Sequence, residues 1–175
     1  MKKLALCCLC LLVLAGAGGL SVSARAGELE AGPKELQGRP GFHLLTVYAN
    51  PFDTKALSTK SDFEKRTREK LLSFGLPLLA RSQAEKLPGK PRLVVLIGVL
   101  PQPFCGPSLL FEIEIKFQEE FVRVRKPQIR ARKTVWLRRQ SGLIAQPDVS
   151  GREMVEDALY LLDVFITNYK AANKQ

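Results

Sequence analysis

Arg123, Arg125, Lys126, Arg130, Arg132, Lys133, Arg138 and Arg139 follow one another with no acidic residue between them, and Arg152 lies a little further on. Such a run sets up a positive field able to hold phosphate or an acidic polymer. Trp136 and Tyr169 are the aromatic residues that could add stacking. The expected anion-binding or partner-binding set is Arg123, Arg125, Lys126, Arg130, Arg132, Lys133 and Trp136, acting on anionic lipid, an acidic glycan or an acidic protein. The plainer alternative is a solvated basic face that blunts an edge strand, a common use of Lys and Arg. Nucleic acid suits the charge but not the compartment argued below.

Other chemistry is thin. Glu112 and Glu114 stand two apart and could work as paired carboxylates, or they could face water or pair across a sheet with Arg130 or Arg132. His43 has no second His to join it in a metal site or a proton relay. Cys105 lies in the stiff stretch PQPFCGP, where it can stay a buried free thiol or bridge to a second chain. Metal-ligand spacing, a Gly-rich phosphate loop and a serine-nucleophile elbow are all missing from the sequence. No catalytic residue, metal or cofactor is expected. The enzymatic alternative is a hydrolase of undefined type.

Which elements would position these groups? Phe42–Ala49 is rich in β-formers and is stopped by Asn50-Pro51. Ser61-Asp62-Phe63-Glu64 has the form of a capping box. Phe63, Thr67, Leu71 and Phe74 follow at helical spacing, and Gly75 ends the helix. Leu76–Ala80 suits a short edge strand, and Ser82–Pro91 a polar connection. Leu93–Leu100 is an unbroken apolar run between prolines, which predicts a strand buried on both faces. Leu109, Phe111, Ile113, Ile115 and Phe117 alternate with polar residues, and a change of phase near Glu119-Glu120 predicts a bulge there. Ile129–Leu137 is the partner strand, with Arg130, Arg132, Thr134 and Trp136 on its polar face. Ser141–Pro147 reads as a loop. Ser150-Gly151-Arg152-Glu153 caps a last helix over Gly151–Tyr169, whose stripe is Met154, Ala158, Leu162, Phe165 and Tyr169.

These elements predict an α+β fold, a two-layer sandwich in the order β-α-(β)-β-β-β-α. The sheet, mostly antiparallel with four or five strands, carries both helices on one face. The other face would carry Glu112, Glu114 and the basic residues.

The chain has 175 residues, 27 Lys plus Arg against 17 Asp plus Glu, one His and a net charge of +10. A hydrophobic share of 46% suits a globular domain. Met1-Lys2-Lys3, the apolar run Leu4–Leu14 and Ala24-Arg25-Ala26 have the three-part layout of a secretory signal cut after Ala26. The run is too short for a comfortable membrane span. Cys7, Cys8 and Cys10 lie inside it rather than at its end, which speaks against a lipid anchor. Their loss would leave Cys105 alone, with no intramolecular disulfide. The expected organisation is a signal peptide (1–26), a flexible Gly- and Pro-containing leader (27–41) and one α+β domain (42–173), periplasmic or secreted, with no transmembrane span after cleavage.

The C-terminal string DALYLLDVFITNYKAAN resembles a set of small exported bacterial proteins of unknown function. Their last helix carries Asp, then Phe-Ile-x-x-Tyr-x-x-Ala-Asn. Asp163, Phe165, Ile166, Tyr169, Ala172 and Asn173 are the matching positions. The resemblance extends over Phe42–Asn173 and implies export and this fold, but no activity. The element order is also similar to periplasmic parts of envelope accessory proteins, such as transporter-auxiliary lipoproteins and the N-terminal domain of the Tol-system translocation protein. The expectation is therefore a non-enzymatic, envelope-associated accessory protein that binds an envelope protein or anionic component through its basic hairpin. The alternative is a structural protein of the envelope that self-associates through Leu93–Leu100 or Cys105.

Overall fold

The computed structural model describes residues 33–101, 108–123, 125–145 and 151–173. The expected signal peptide with its cut after Ala26, Cys105 in its Pro-rich loop, and the Ser150 cap lie outside these residues. The described elements are β1 (His43–Ala49), α1 (Ala56–Ser73), the single turn α2 (Arg81–Ala84), β2 (Arg92–Pro101), β3 (Ser108–Arg123), β4 (Lys126–Ala145) and α3 (Gly151–Asn173). A 3-10 turn, Pro33–Leu36, precedes them. The strands form one sheet in the order β1-β2-β3-β4. β1 runs parallel to β2 and the other two pairs are antiparallel. A parallel pair needs a long crossover, and α1 with its flanking loops provides it. The result is an α+β fold with a mostly antiparallel sheet and both long helices on one face.

Each apolar period becomes one wall of a single core. β2 turns Leu93, Val95, Ile97 and Val99 inward, β3 turns Ile113, Ile115 and Phe117 inward, and all are buried. α3 buries its whole expected stripe from Met154 to Tyr169, widened by Val155, Leu159, Leu161 and Ile166. α1 buries Phe63, Thr67 and Leu71. Phe42 and Phe165 meet edge-on, with ring centroids 5.7 Å apart, and Phe117 lies 5.6 Å from Phe42.

Both ends of α1 have a physical cause. Gly75 sits at φ +75°. Its N–H donates to Leu72 O at 2.9 Å and that of Leu76 to Leu71 O at 3.1 Å. This is the Schellman arrangement, closed by the buried pair Leu71 and Leu76. The start differs from the Ser61 expectation, because the helix begins five residues earlier at Ala56. The Asp53 carboxylate accepts the Lys55 N–H at 2.8 Å and brings negative charge to the positive helix end.

Several other expectations are revised. Leu76–Ala80 makes only an isolated bridge, Phe42 to Leu78. β2 is covered on both sides only in part: Val94 is buried on the open face, but Leu96 is half-buried and Leu100 is 58% exposed. β4 runs on through Ala145, so most of the expected loop is edge strand. Its residues 138–142 are polar, yet their backbone pairs with Phe111–Ile115 of β3. Pairing needs main-chain groups rather than apolar side chains, so alternation could not reveal it.

Part of the stretch read as a flexible leader is packed. Leu36 is fully buried. Asn173 Oδ1 accepts the Gly38 N–H at 2.9 Å, while its Nδ2 donates to Leu36 O and to Tyr169 O, both at 3.0 Å. The Tyr169 hydroxyl donates to Arg39 O at 2.6 Å. Tyr169 and Asn173 thus latch Pro33–Arg39 onto the end of α3.

Candidate functional site: a basic hairpin and the cleft at its base

The phase of β4 decides which residues share the open face. Phe117 pairs with Trp136 and Gln118 pairs with Thr134, which leaves Val135 as an extra residue in β4. The bulge is therefore on β4, not at Glu119-Glu120, and it reverses the alternation. Arg130, Arg132 and Thr134 lie on the open face before it. Trp136 falls on the helical side, 2% exposed, edge-on to Phe165 with centroids 5.2 Å apart. Trp136 is thus a core residue and not part of a binding face. Tyr169, also expected to stack, is 3% exposed in the same core.

Beyond the bulge, Leu137, Arg139, Ser141 and Leu143 return to the open face, opposite Lys116, Glu114, Glu112 and Leu110. Arg139 Nε lies 2.8 Å from Glu112 Oε1 and its Nη2 3.2 Å from Glu114 Oε1. Lys116 Nζ is 2.7 Å from the other Glu114 oxygen. The two glutamates pair with Arg139 and Lys116, not with Arg130 or Arg132. Glu114 is buried under this network.

The hairpin outruns the sheet. Gln118 is the last β3 residue paired to β2, through Arg92. Glu119–Arg123 continue for five residues, roughly 17 Å at ~3.4 Å per residue. Arg123, Arg125, Arg130, Arg132 and Lys133 are exposed on this ribbon, and Lys126 pairs with Arg123 near its tip. Phe121 (44%), Val122 (48%) and Ile129 (40%) are exposed among them. Lys133 Nζ lies 5.8 Å from the Phe121 ring centroid, within reach of a cation–π contact. Arg130 reaches Glu120 at 3.4 Å. Arg138 stands at the register of Ile115, on the helical side, and Arg152 is in the first turn of α3.

At the base of the ribbon the main chain of Glu120 donates to Gly89 O, and Lys90 Nζ lies 2.9 Å from Glu120 Oε1. That ammonium holds the Glu120 carboxyl below its ordinary pKa. On the helical side Arg39 Nη2 donates to Glu119 Oε2 at 3.0 Å. Arg39 Nε approaches Oε1 at 2.7 Å, but its N–H is not aimed at that oxygen, so the contact is ionic only. Burial raises the Glu119 carboxyl pKa and the Arg39 charge partly offsets it.

A cleft of about 170 Å³ opens between β1, α2 and this base, with His43, Arg81, Glu85, Lys90, Arg92 and Arg132 around it. Neither Arg81, Lys90 nor Arg92 stood out in the sequence. They come from separate segments: the pairing His43–Arg92–Gln118–Thr134 across four strands fixes Arg92, while Arg81 reaches the cleft from α2 and Lys90 from the loop before β2. Arg92 gives both Nε and Nη2 to the neutral Gln118 Oε1, at 2.8 and 2.6 Å. Burial, and then the nearby Arg132 charge, lower its pKa.

Among the described residues no group of His, Cys, Asp and Glu could hold a metal ion, and no helix is long and apolar enough to cross a membrane. Comparison of the chain with protein-family models, with curated proteins and with solved structures finds no match.

Proposed function

We propose that this chain is an exported, non-enzymatic accessory protein of the bacterial envelope that docks its β3–β4 hairpin on an anionic lipid surface. The supporting observation is the composition of the projecting ribbon. Phe121, Val122 and Ile129 are exposed between Arg123, Arg125, Arg130, Arg132 and Lys133. An acidic glycan would draw on the cations and leave most of the exposed apolar side chains unused. Exposed apolar side chains set among cations also suit the headgroup boundary, where both kinds of group are satisfied. A basic residue near such a surface contributes about 1 kcal/mol, so a handful gives useful affinity that salt weakens.

Co-sedimentation with vesicles tests this. The chain should bind vesicles containing phosphatidylglycerol and leave phosphatidylcholine alone, and binding should fall as salt rises. Arg130→Glu with Arg132→Glu should abolish it, and Phe121→Ser should weaken it. Equal retention at low and high salt, or by the charge-reversed variant, would sink the reading.

A second reading has its own observation. Leu100, Leu110 and Leu143 form one cross-strand row on the open face, with Leu100 58% and Leu143 53% exposed. That row could seat a second copy of the chain in a self-associating envelope protein. Sedimentation with and without reductant separates the two, and a monomer in both conditions removes the second.

A further inference from the structure

We infer that the cleft between β1, α2 and the base of the hairpin is a phosphate-binding site that takes a dianionic phosphomonoester group. It is independent of the ribbon tip and shares only Arg132 with it. Four permanent cations and one carboxylate, Glu85, border the cleft. Glu85 is engaged by Arg81, Nε to Oε1 at 2.8 Å, and Lys90 by Glu120 from outside the cleft. The partner of Arg92 is a neutral amide, so the Arg92 charge is not matched by the group that holds it. Gln118 uses two of the five guanidinium donors and fixes the plane of the fork. The others remain for an oxyanion, and phosphate is one of the two anions whose geometry the guanidinium fork matches.

The backbone adds an independent observation. Gly89 and Lys90 are consecutive residues at positive φ, +73° and +42°. The left-handed region is disfavoured for a non-glycine residue such as Lys90. That conformation brings Lys90 to the cleft rim beside Glu120. Strain of this kind persists where the surroundings hold it, often at binding sites. At about 170 Å³ the cleft has room for a phosphate group. Leu45 and Pro91 supply an apolar wall, which strengthens the field inside.

Titration of the full chain with inorganic phosphate and with glycerol phosphate, at constant ionic strength and with chloride as control, tests the assignment. Saturable binding and a raised melting temperature are expected with both phosphates. Arg81→Gln and Arg132→Gln should each weaken binding about tenfold, the loss of one charge-assisted hydrogen bond. Arg81 is exposed, so its variant keeps the fold. Arg125→Gln, at the tip, should bind phosphate as the parent does. No saturation beyond chloride, or equal weakening by Arg125→Gln and Arg81→Gln, would overturn the site. A second arm separates the sources of the phosphate. If a lipid headgroup is the ligand, Arg81→Gln lowers binding to phosphatidic acid vesicles but not to phosphatidylglycerol. If a soluble ester is the ligand, both vesicles are unaffected. Either result upholds the site once solution binding is seen. The hairpin reading fails separately, on phosphatidylglycerol and on reversal of Arg123 and Arg130, neither of which borders the cleft.

Discussion

Trp136→Ala isolates the consequence of the β4 bulge. The Trp136 side chain is 2% exposed and sits edge-on to Phe165 at 5.2 Å, beside Phe117 on the neighbouring strand. A buried indole removes about 150–250 Å² from water, and at ~25 cal/mol per Å² that is worth roughly 4–6 kcal/mol. The unfolded chain already hides some of this area, so the sum is an upper bound. Truncation of a core Trp costs about 3–5 kcal/mol. For a chain of this size each kcal/mol moves the melting temperature by ~2–4 °C, so the expected drop is on the order of 6–20 °C. Thermal melting followed by circular dichroism measures the drop, and chemical denaturation measures the free-energy loss. Because Trp136 is the only Trp, its fluorescence reports burial directly, and a neutral quencher should barely touch it. Arg132→Ala, on the open face, should cost under about 0.5 kcal/mol. A loss below ~1 kcal/mol for Trp136→Ala, together with strong quenching, would place Trp136 on the open face and refute the bulge.

Three other outcomes are expected. Asn173→Ala removes the acceptor for Gly38 and Arg39 and the donor to Leu36; it should cost about 1–3 kcal/mol and expose Pro33–Arg39 to early cleavage in limited proteolysis, whereas an unchanged digest would contradict the latch. Burial pushes the Tyr48 and Tyr169 hydroxyls up to about 12 from 10.0. The folded state then holds these protons more tightly than the unfolded chain, so the stability they contribute is complete below pH 10 and is lost as pH rises toward 12, by on the order of 2–3 kcal/mol for the buried Tyr169. Tyr169→Phe should flatten that alkaline loss, and an identical slope in the variant would refute it. A Cβ at Gly151 would come within 2.5 Å of both Asp53 Oδ2 and Tyr48 Oη, which are hydrogen-bonded to each other at 2.7 Å. Gly151→Ala should therefore destabilise by ~1–3 kcal/mol as an overpacking change, and a neutral result by thermal melting would mean that the α3 start is not seated there.

Much of the scaffold was legible because burial leaves a period. Met154, Ala158, Leu162, Phe165 and Tyr169 recur at helical spacing, and all five are buried. Ile113, Ile115 and Phe117 alternate with polar residues and all face the helices. The capping motif at Ser61 misled, because Asp53 serves the α1 N-terminus from a loop. The second half of β4 was hidden because an edge strand can pair through its backbone while its side chains stay polar. The C-terminal Tyr169 and Asn173 stood out as a pattern, but their job, holding Pro33–Arg39 across about 130 residues of sequence, is a tertiary contact.

The residues alone determined how many apolar faces there are and hence the two-layer arrangement, because each periodic stripe must be hidden from water. They also determined that the cations crowd into one hairpin. Only the assembled sheet decided which of those cations stand together. Alternation has no absolute phase once a residue is inserted, and Val135, which has no partner in the β3 register, is accommodated by the pairing of its neighbours Thr134 and Trp136 rather than by any local preference. The cleft belongs to the same class of fact. Arg81, Lys90, Arg92 and Arg132 repel one another and have no pattern in the chain, and they are held together by strand pairing and core burial from the opposite face of the sheet.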